Sequence, residues 1–441
     1  MKKTLKDNPY NAIVSEVNHE VKKGDLPLSG WTVALKDNIN MKDTLTTASS
    51  AILSNYKSVY DATVVQKLKD AGAEIVVKTS MDELGMGGTN RNALTGPVSN
   101  PYDETRISGG SSGGSAALSG ARLVRLAMGT DTGDSIRKPA SYCGSVGLKP
   151  SYGRISRYGV VPYAASLDHV GFFTENVKDA ALALEVLSGK DPLDMTSLDV
   201  NEKYSQDLNV DLKGKRIGIF KNVVDLIENE SIKDALNKLL KDLKHQGAII
   251  VEKEMDQDLI KTMLGVYLAI ANGEAVTHHA AYDGVRYGNS KEGASLEEIM
   301  INTRSAGFST FVKERLIYGQ YAIEKLHHEK VFLKAKKVRR LLVEAYTDML
   351  SDVDVILAPA TPSVAPKIDQ ASFVVTSDMY LVAENHMVLQ NFSGTPSLTL
   401  PLGKEDGLPF GLNISANYKE DHLLLKYAKE IESLIDWKGD F

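Results

Sequence analysis

Residues 108–138 read SGGSSGGSAALSGARLVRLAMGTDTGDSIRK, two glycine-dense loops at 109–114 and 129–134 with an apolar segment between them. Glycine at that density costs backbone entropy and adds no packing, so it marks tight turns or backbone N–H groups brought close to a ligand. A flexible Gly/Ser tether is the weaker reading, because each loop runs straight into apolar sequence, 116–118 after the first and 136–143 after the second. Residues 116–120 are predicted to continue as a helix entered from the first loop, and 124–128 as a strand. The second loop then lies at a strand–loop–helix junction, where backbone amides gather at a sharp turn.

Working outward, residues 31–37 (WTVALKD) read as a buried strand of β-branched and apolar residues with Lys36 at its end. Residues 11–22 are expected to form a short helix. The segment DATVVQKLKDAGA from Asp61 has apolar residues at helical spacing and stops at Gly72, and EIVVKT follows as a strand. Residues 144–168 are rich in Gly, Pro and Tyr, lack a helical period, and are expected to wrap the core as short strands and loops. Helices are predicted at 176–187, 229–246 and 422–434, and strands at 215–220, 248–252, 353–357, 397–402 and 410–414. Residues 256–350 read as mainly helical, with a polar break at 282–293. Alternating helices and strands over nearly the whole chain indicate an α/β protein. Residues 1–441 are expected to form one domain, with a strand-helix elaboration and a helical region at about 191–350.

Composition narrows the function. With 43% hydrophobic and 24% charged residues the chain can bury a large core, and a net charge of −6 argues against a broad nucleic-acid-binding face, which needs clustered Lys and Arg. Cys143 is the only cysteine, so an internal disulfide and a thiolate metal cage are excluded and a reducing compartment fits. The opening residues MKKTLKDNPYNAIVSEV contain no apolar run of signal-peptide length, and no stretch reads as the roughly 18 apolar residues of a membrane span. A cytoplasmic protein is expected, or a mitochondrial matrix protein in a eukaryote.

The chemistry is reached by elimination. Neither glycine loop carries the Lys-Ser/Thr of a phosphate-binding loop. Of the nine histidines, 278–279 and 327–328 are adjacent pairs on predicted helices, where neighbours point about 100° apart, so neither suits a metal or a Ser-His-Asp triad. Cys143 has no base near it in sequence and reads as a small buried residue. Serine with lysine remains. A serine hydroxyl attacks only when a base takes its proton, and lysine serves once its pKa falls from about 10.4 towards neutrality. Burial of Lys36 among Val33, Ala34 and Leu35 would lower it, and a second serine would relay the proton. The candidate set is Lys36, a serine of the first loop, and Ser135.

Four segments, VALKDN (33–38), GGSSGGS (109–115), GTDTGDSIRKPASYCGSVGLKPSYGRIS (129–156) and LAPATP (357–362), make the chain resemble the amidase signature family over nearly its whole length. The resemblance implies a mixed β-sheet core covered by helices on both sides. It also implies a Ser-cisSer-Lys triad in which Ser135 is the nucleophile, Ser111 the relay and Lys36 the base. Backbone N–H groups of residues 132–135, including Thr132, Gly133 and Asp134, would form the oxyanion hole, with Asp134 standing where the family usually has glycine.

Residues 282–288 (YDGVRYG), 312–321 (VKERLIYGQY) and 149–157 are similar to the A subunits of glutamyl-tRNA(Gln) and aspartyl-tRNA(Asn) amidotransferases. This implies a glutamine pocket in which Arg315 takes the α-carboxylate, with Tyr267 and an acid after MYL, Glu384, completing it. It further implies that ammonia from glutamine passes to a B subunit, which uses ATP and Mg²⁺ to amidate Glu-tRNA(Gln), with Asp-tRNA(Asn) as a second candidate substrate. No cofactor or metal is expected on this chain, tRNA would be held mainly by the B subunit, and a small C-type subunit or a replacement would make a heterotrimer. The alternative is a stand-alone amidase of small amides, marked by full activity of the isolated chain on aliphatic amides.

Overall fold

A computed structural model describes residues 3–370 and 377–441. Its strands are β1 (Ile13–Glu16), β2 (Thr32–Lys36), β3 (Glu74–Thr79), β4 (Leu126–Asp131), β5 (Val146–Lys149), β6 (His169–Thr174), β7 (Arg216–Phe220), β8 (Ile249–Lys253), β9 (Val355–Pro359), β10 (Ser397–Glu405) and β11 (Leu408–Ser415). Among the described residues they form one mixed sheet in the order β1-β3-β2-β4-β6-β5-β10-β11-β9-β7-β8, and many helices complete the α/β fold. The parallel trio β3-β2-β4 carries the site: β2 runs between β3 and β4, so its Val33, Ala34 and Leu35 are fully buried, as a strand covered on both faces requires.

Three helices frame the quoted stretch. The first, α1 (Thr63–Asp70), is followed by Gly72 in the left-handed region at φ +81°, which ends it and turns the chain into β3. The second, α2 (Gly113–Gly120), is buried along its whole length, and α3 (Arg137–Cys143) packs against it. The glycines of α2 serve that packing: a Cβ at Gly120 would stand 2.1 Å from the Cys143 carbonyl oxygen, and one at Gly114 2.5 Å from that of Ser80. Cys143 itself is buried.

Three expectations change. Residues 11–22 hold no helix: the short 3-10 turn Pro9–Asn11 leads into β1, whose Ile13 and Val14 favour an extended edge pairing with β3. Strand β6 falls at 169–174, between the loop-rich stretch 144–168 and the helix expected at 176–187, where no element is expected, and all six of its residues are buried between β4 and β5. The stretch 257–279 is long and apolar enough to match a membrane span on length and composition, but half of its most apolar window is buried, and its helix Met263–His279 packs against the helices Thr310–Ile323 and Lys334–Leu350.

Candidate active site

Lys36 ends β2 with no exposed surface, its Nζ 2.7 Å from Ser111 Oγ, 2.8 Å from Ser112 Oγ and 2.9 Å from Thr130 Oγ1. Burial pushes its pKa down to about 7, while the carboxylates of Asp82, Asp131 and Asp168 pull it back only in part. A neutral amine has two N–H groups and one lone pair, so one of the three oxygens must donate to it. Ser112 is already committed, because its hydroxyl donates to the Thr130 carbonyl at 3.0 Å. Ser111 is therefore the serine of the first loop whose proton is free to go to the lysine. The next residue, Asp37, pairs with Lys78 at 3.2 Å, both fully buried, and takes the Thr47 N–H at 3.0 Å, which fixes the strand end against β3.

The first loop is positioned from below by Asp82. Its N–H donates to the Ser111 carbonyl at 3.2 Å, and its carboxylate accepts the N–H groups of Asn90 at 2.8 Å and Asn92 at 3.2 Å. Only glycine fits above it, since a Cβ at Gly110 would lie 2.1 Å from Asp82 Oδ2. The Gly110–Ser111 peptide is cis. Burial pushes the Asp82 carboxyl up to about 6.

The second loop lies against the first, with the Ser112 N–H donating to the Ser135 carbonyl at 3.2 Å. Ser135 is 4% exposed. Among the described residues no hydrogen bond joins its hydroxyl to Ser111, so the lysine–serine link is in place while the two loops meet through the Ser112 N–H and the Ser135 carbonyl. The N–H groups of Thr132, Gly133, Asp134 and Ser135 donate to no other group among the described residues, although all four residues are buried. Buried N–H groups are nearly always paired, so four open ones in a row mark a place for an anion or an oxyanion.

A clamp keeps this loop in shape. Arg137 makes a two-pronged pair with Asp131, at 2.8 Å and 3.1 Å, with neither side chain exposed. Its remaining N–H groups reach the Gly133 carbonyl at 2.8 Å, Gln390 at 2.6 Å and Asn391 at 2.6 Å, and Asn391 in turn donates to Asp131 at 3.0 Å. Burial alone would raise the Asp131 carboxyl; Arg137 outweighs it and holds the group well below the usual range.

Beside the loop is a cavity of about 270 Å³ whose wall includes Gly133, Asp134, Lys138, Tyr267, Arg315 and Glu384. The three pocket residues expected from the sequence are thus brought together with the second loop. Tyr267 leans on Gly133, where a Cβ would sit 3.2 Å from its ring. The Arg315 guanidinium stacks over Phe311 at 4.9 Å and forms no ion pair among the described residues, which leaves it available to an anionic group. Glu384 is engaged: Lys138 stands 3.0 Å from its Oε1 and 2.5 Å from Asp134 Oδ2. Sequence reasoning passes over Lys138, although its i,i+4 spacing from Asp134 at a helix start is a pairing signal. It also passes over Ser112, Thr130, Asp82 and the Asp131–Arg137 clamp.

Residues 10–425 match the family profile described as Amidase. The chain belongs to the amidase family. The A subunit of glutamyl-tRNA(Gln) amidotransferase from Koribacter versatilis (strain Ellin345) is 42% identical over 412 residues, which cover 92% of this chain and 85% of the relative. The protein of the same name from Sulfurihydrogenibium sp. (strain YO3AOP1) is 41% identical over 416 residues, 94% of this chain and 85% of the relative. Among solved structures, the corresponding glutamyl-tRNA(Gln) amidotransferase A subunit of Thermotoga maritima superposes with a TM-score of 0.82 at 33% identity, covering 98% of this chain and 89% of its own. This amidase-family enzyme is therefore of the amidotransferase A-subunit type, as its sequence motifs implied.

Proposed function

We propose that the chain is the glutaminase subunit of a Glu-tRNA(Gln) amidotransferase. Ser135 attacks the side-chain amide carbon of glutamine, and its proton passes through Ser111 to Lys36. The N–H groups of residues 132–135 take the oxyanion of the tetrahedral intermediate. Lys36 returns the proton through Ser111 to the departing nitrogen, ammonia leaves, and water hydrolyses the glutamyl ester. Arg315 receives the α-carboxylate and the acidic wall around Glu384 the α-ammonium. The observation that carries this reading is the buried Lys36, bonded to Ser111 next to a nucleophile loop with four open N–H groups.

The ammonia goes to a B subunit that holds the tRNA and spends ATP with Mg²⁺ on Glu-tRNA(Gln) or Asp-tRNA(Asn), within a cytoplasmic heterotrimer completed by a small third subunit. That the relatives are themselves one lettered subunit of an amidotransferase supports an assembly of several chains. The test is ammonia release from glutamine by the chain purified from its own host together with the proteins that accompany it. Ser135→Ala is expected to lower the rate by about 10³ or more. Release at the parent rate would remove Ser135 from the mechanism.

A further inference from the structure

Asp134 places a carboxylate between Gly133 and the nucleophile, on the loop where negative charge would develop, and it lines the cavity. An unpaired carboxylate there opposes an oxyanion and slows acylation. Lys138, one turn further along α3, meets it at 2.5 Å and reaches across to Glu384 at 3.0 Å, with the side chains of Asp134, Lys138 and Glu384 12%, 7% and 5% exposed. Solvent and salt screen such a cluster little. Burial works against the Lys138 ammonium, but the two carboxylates outweigh it and hold it charged.

We propose that Lys138 is a positioning residue for acylation, cancelling Asp134 beside the oxyanion and leaving one net negative charge on the wall of the cavity that Arg315 also lines. The proposal rests on the reading of Ser135 and residues 132–135 given above, and it deepens that reading. Two carboxylates sharing one ammonium line the same cavity as a guanidinium that has no ion-pair partner among the described residues, so the cavity suits an amide that carries one carboxylate and one ammonium, an α-amino-acid amide. Without Lys138 the carboxyls of Asp134 and Glu384, which burial pushes up, lose the cation that offsets it, and once the pH is high enough to ionise them both are bare. The oxyanion is then opposed while the wall holds a substrate ammonium at least as well, so kcat falls and KM does not rise. A merely structural lysine would not produce that split.

The experiment is a double-mutant cycle on the chain purified with its accompanying proteins, using the acylation burst with p-nitrophenyl acetate and ammonia release from glutamine. Lys138→Gln is expected to slow the burst about tenfold or more, with KM for glutamine unchanged or lower. Asp134→Asn/Lys138→Gln is expected to regain about fivefold or more over Lys138→Gln, since the opposing charge is gone. In the Asp134→Asn background, adding Lys138→Gln should change the burst by less than about threefold, a comparison that holds even where Lys138→Gln alone does not fold. A parent-rate burst in Lys138→Gln, or an undiminished loss in the Asp134→Asn background, overturns the proposal. A parent that bursts with the ester but frees no ammonia from glutamine overturns the glutaminase reading alone, because the ester cycle still reads Lys138.

Discussion

Desolvation makes Lys36 a base, and it also makes the residue a liability for folding. Its pKa of about 7 in the folded chain lies below the unfolded value of 10.5. Below pH 10.5 the unfolded chain binds the extra proton, so this lysine opposes folding most strongly below about pH 7, and the opposition fades as pH rises towards 10.5. Relative to Lys36→Met, the parent should gain about 3 kcal/mol between pH 7 and pH 10 in chemical denaturation. A gain near zero would mean that Lys36 keeps an ordinary pKa. The same protonation sets the rate: acylation should climb with pH up to about 7 and then level off, and Lys36→Met should abolish it. Lys36 was legible in the sequence because an apolar strand ended in a cation. Lys138 was not, because one of its two partners, Glu384, lies far along the chain and is joined to it only by folding.

At the scale of elements, the nucleophile loop is held by a buried ion pair rather than by glycine content. Asp131 closes β4, Arg137 opens α3, and both are tied to the helix Val388–Ser393 through Gln390 and Asn391. Arg137→Met should therefore cost about 3–5 kcal/mol, since Asp131 is left charged and unpaired in the interior. It should also disorder the N–H groups of residues 132–135, so activity falls with stability. Denaturation midpoints of the purified variant check the first claim, and a loss below about 1 kcal/mol would sink it. The strand–loop–helix junction itself was readable from glycine followed by an apolar helix. Strand β6 was not, because HVGFFT is short, interrupted by Gly171 and lacks alternation when buried on both faces. The edge strand β1 was lost for the opposite reason: four residues next to polar sequence carry too little pattern to outweigh a helical guess.

At the scale of the molecule, the cavity joins two parts of the chain with different tasks. Gly133 and Asp134 come from the loop that follows β4 and Lys138 from α3, whereas Tyr267 and Arg315 come from the helices Met263–His279 and Thr310–Ile323. The sheet supplies chemistry and the helical region supplies recognition. If that division holds, Arg315→Gln should act on binding rather than on bond-making. The guanidinium is half-buried and has no ion-pair partner among the described residues, so its loss leaves no buried charge behind and should change stability by less than about 1 kcal/mol. A charge-assisted contact to the substrate carboxylate is lost instead, which should raise KM for glutamine about tenfold or more. The burst with p-nitrophenyl acetate, which has no carboxylate to lose, should fall much less. Equal losses with both substrates would place Arg315 in the chemistry of the sheet and end the division of labour.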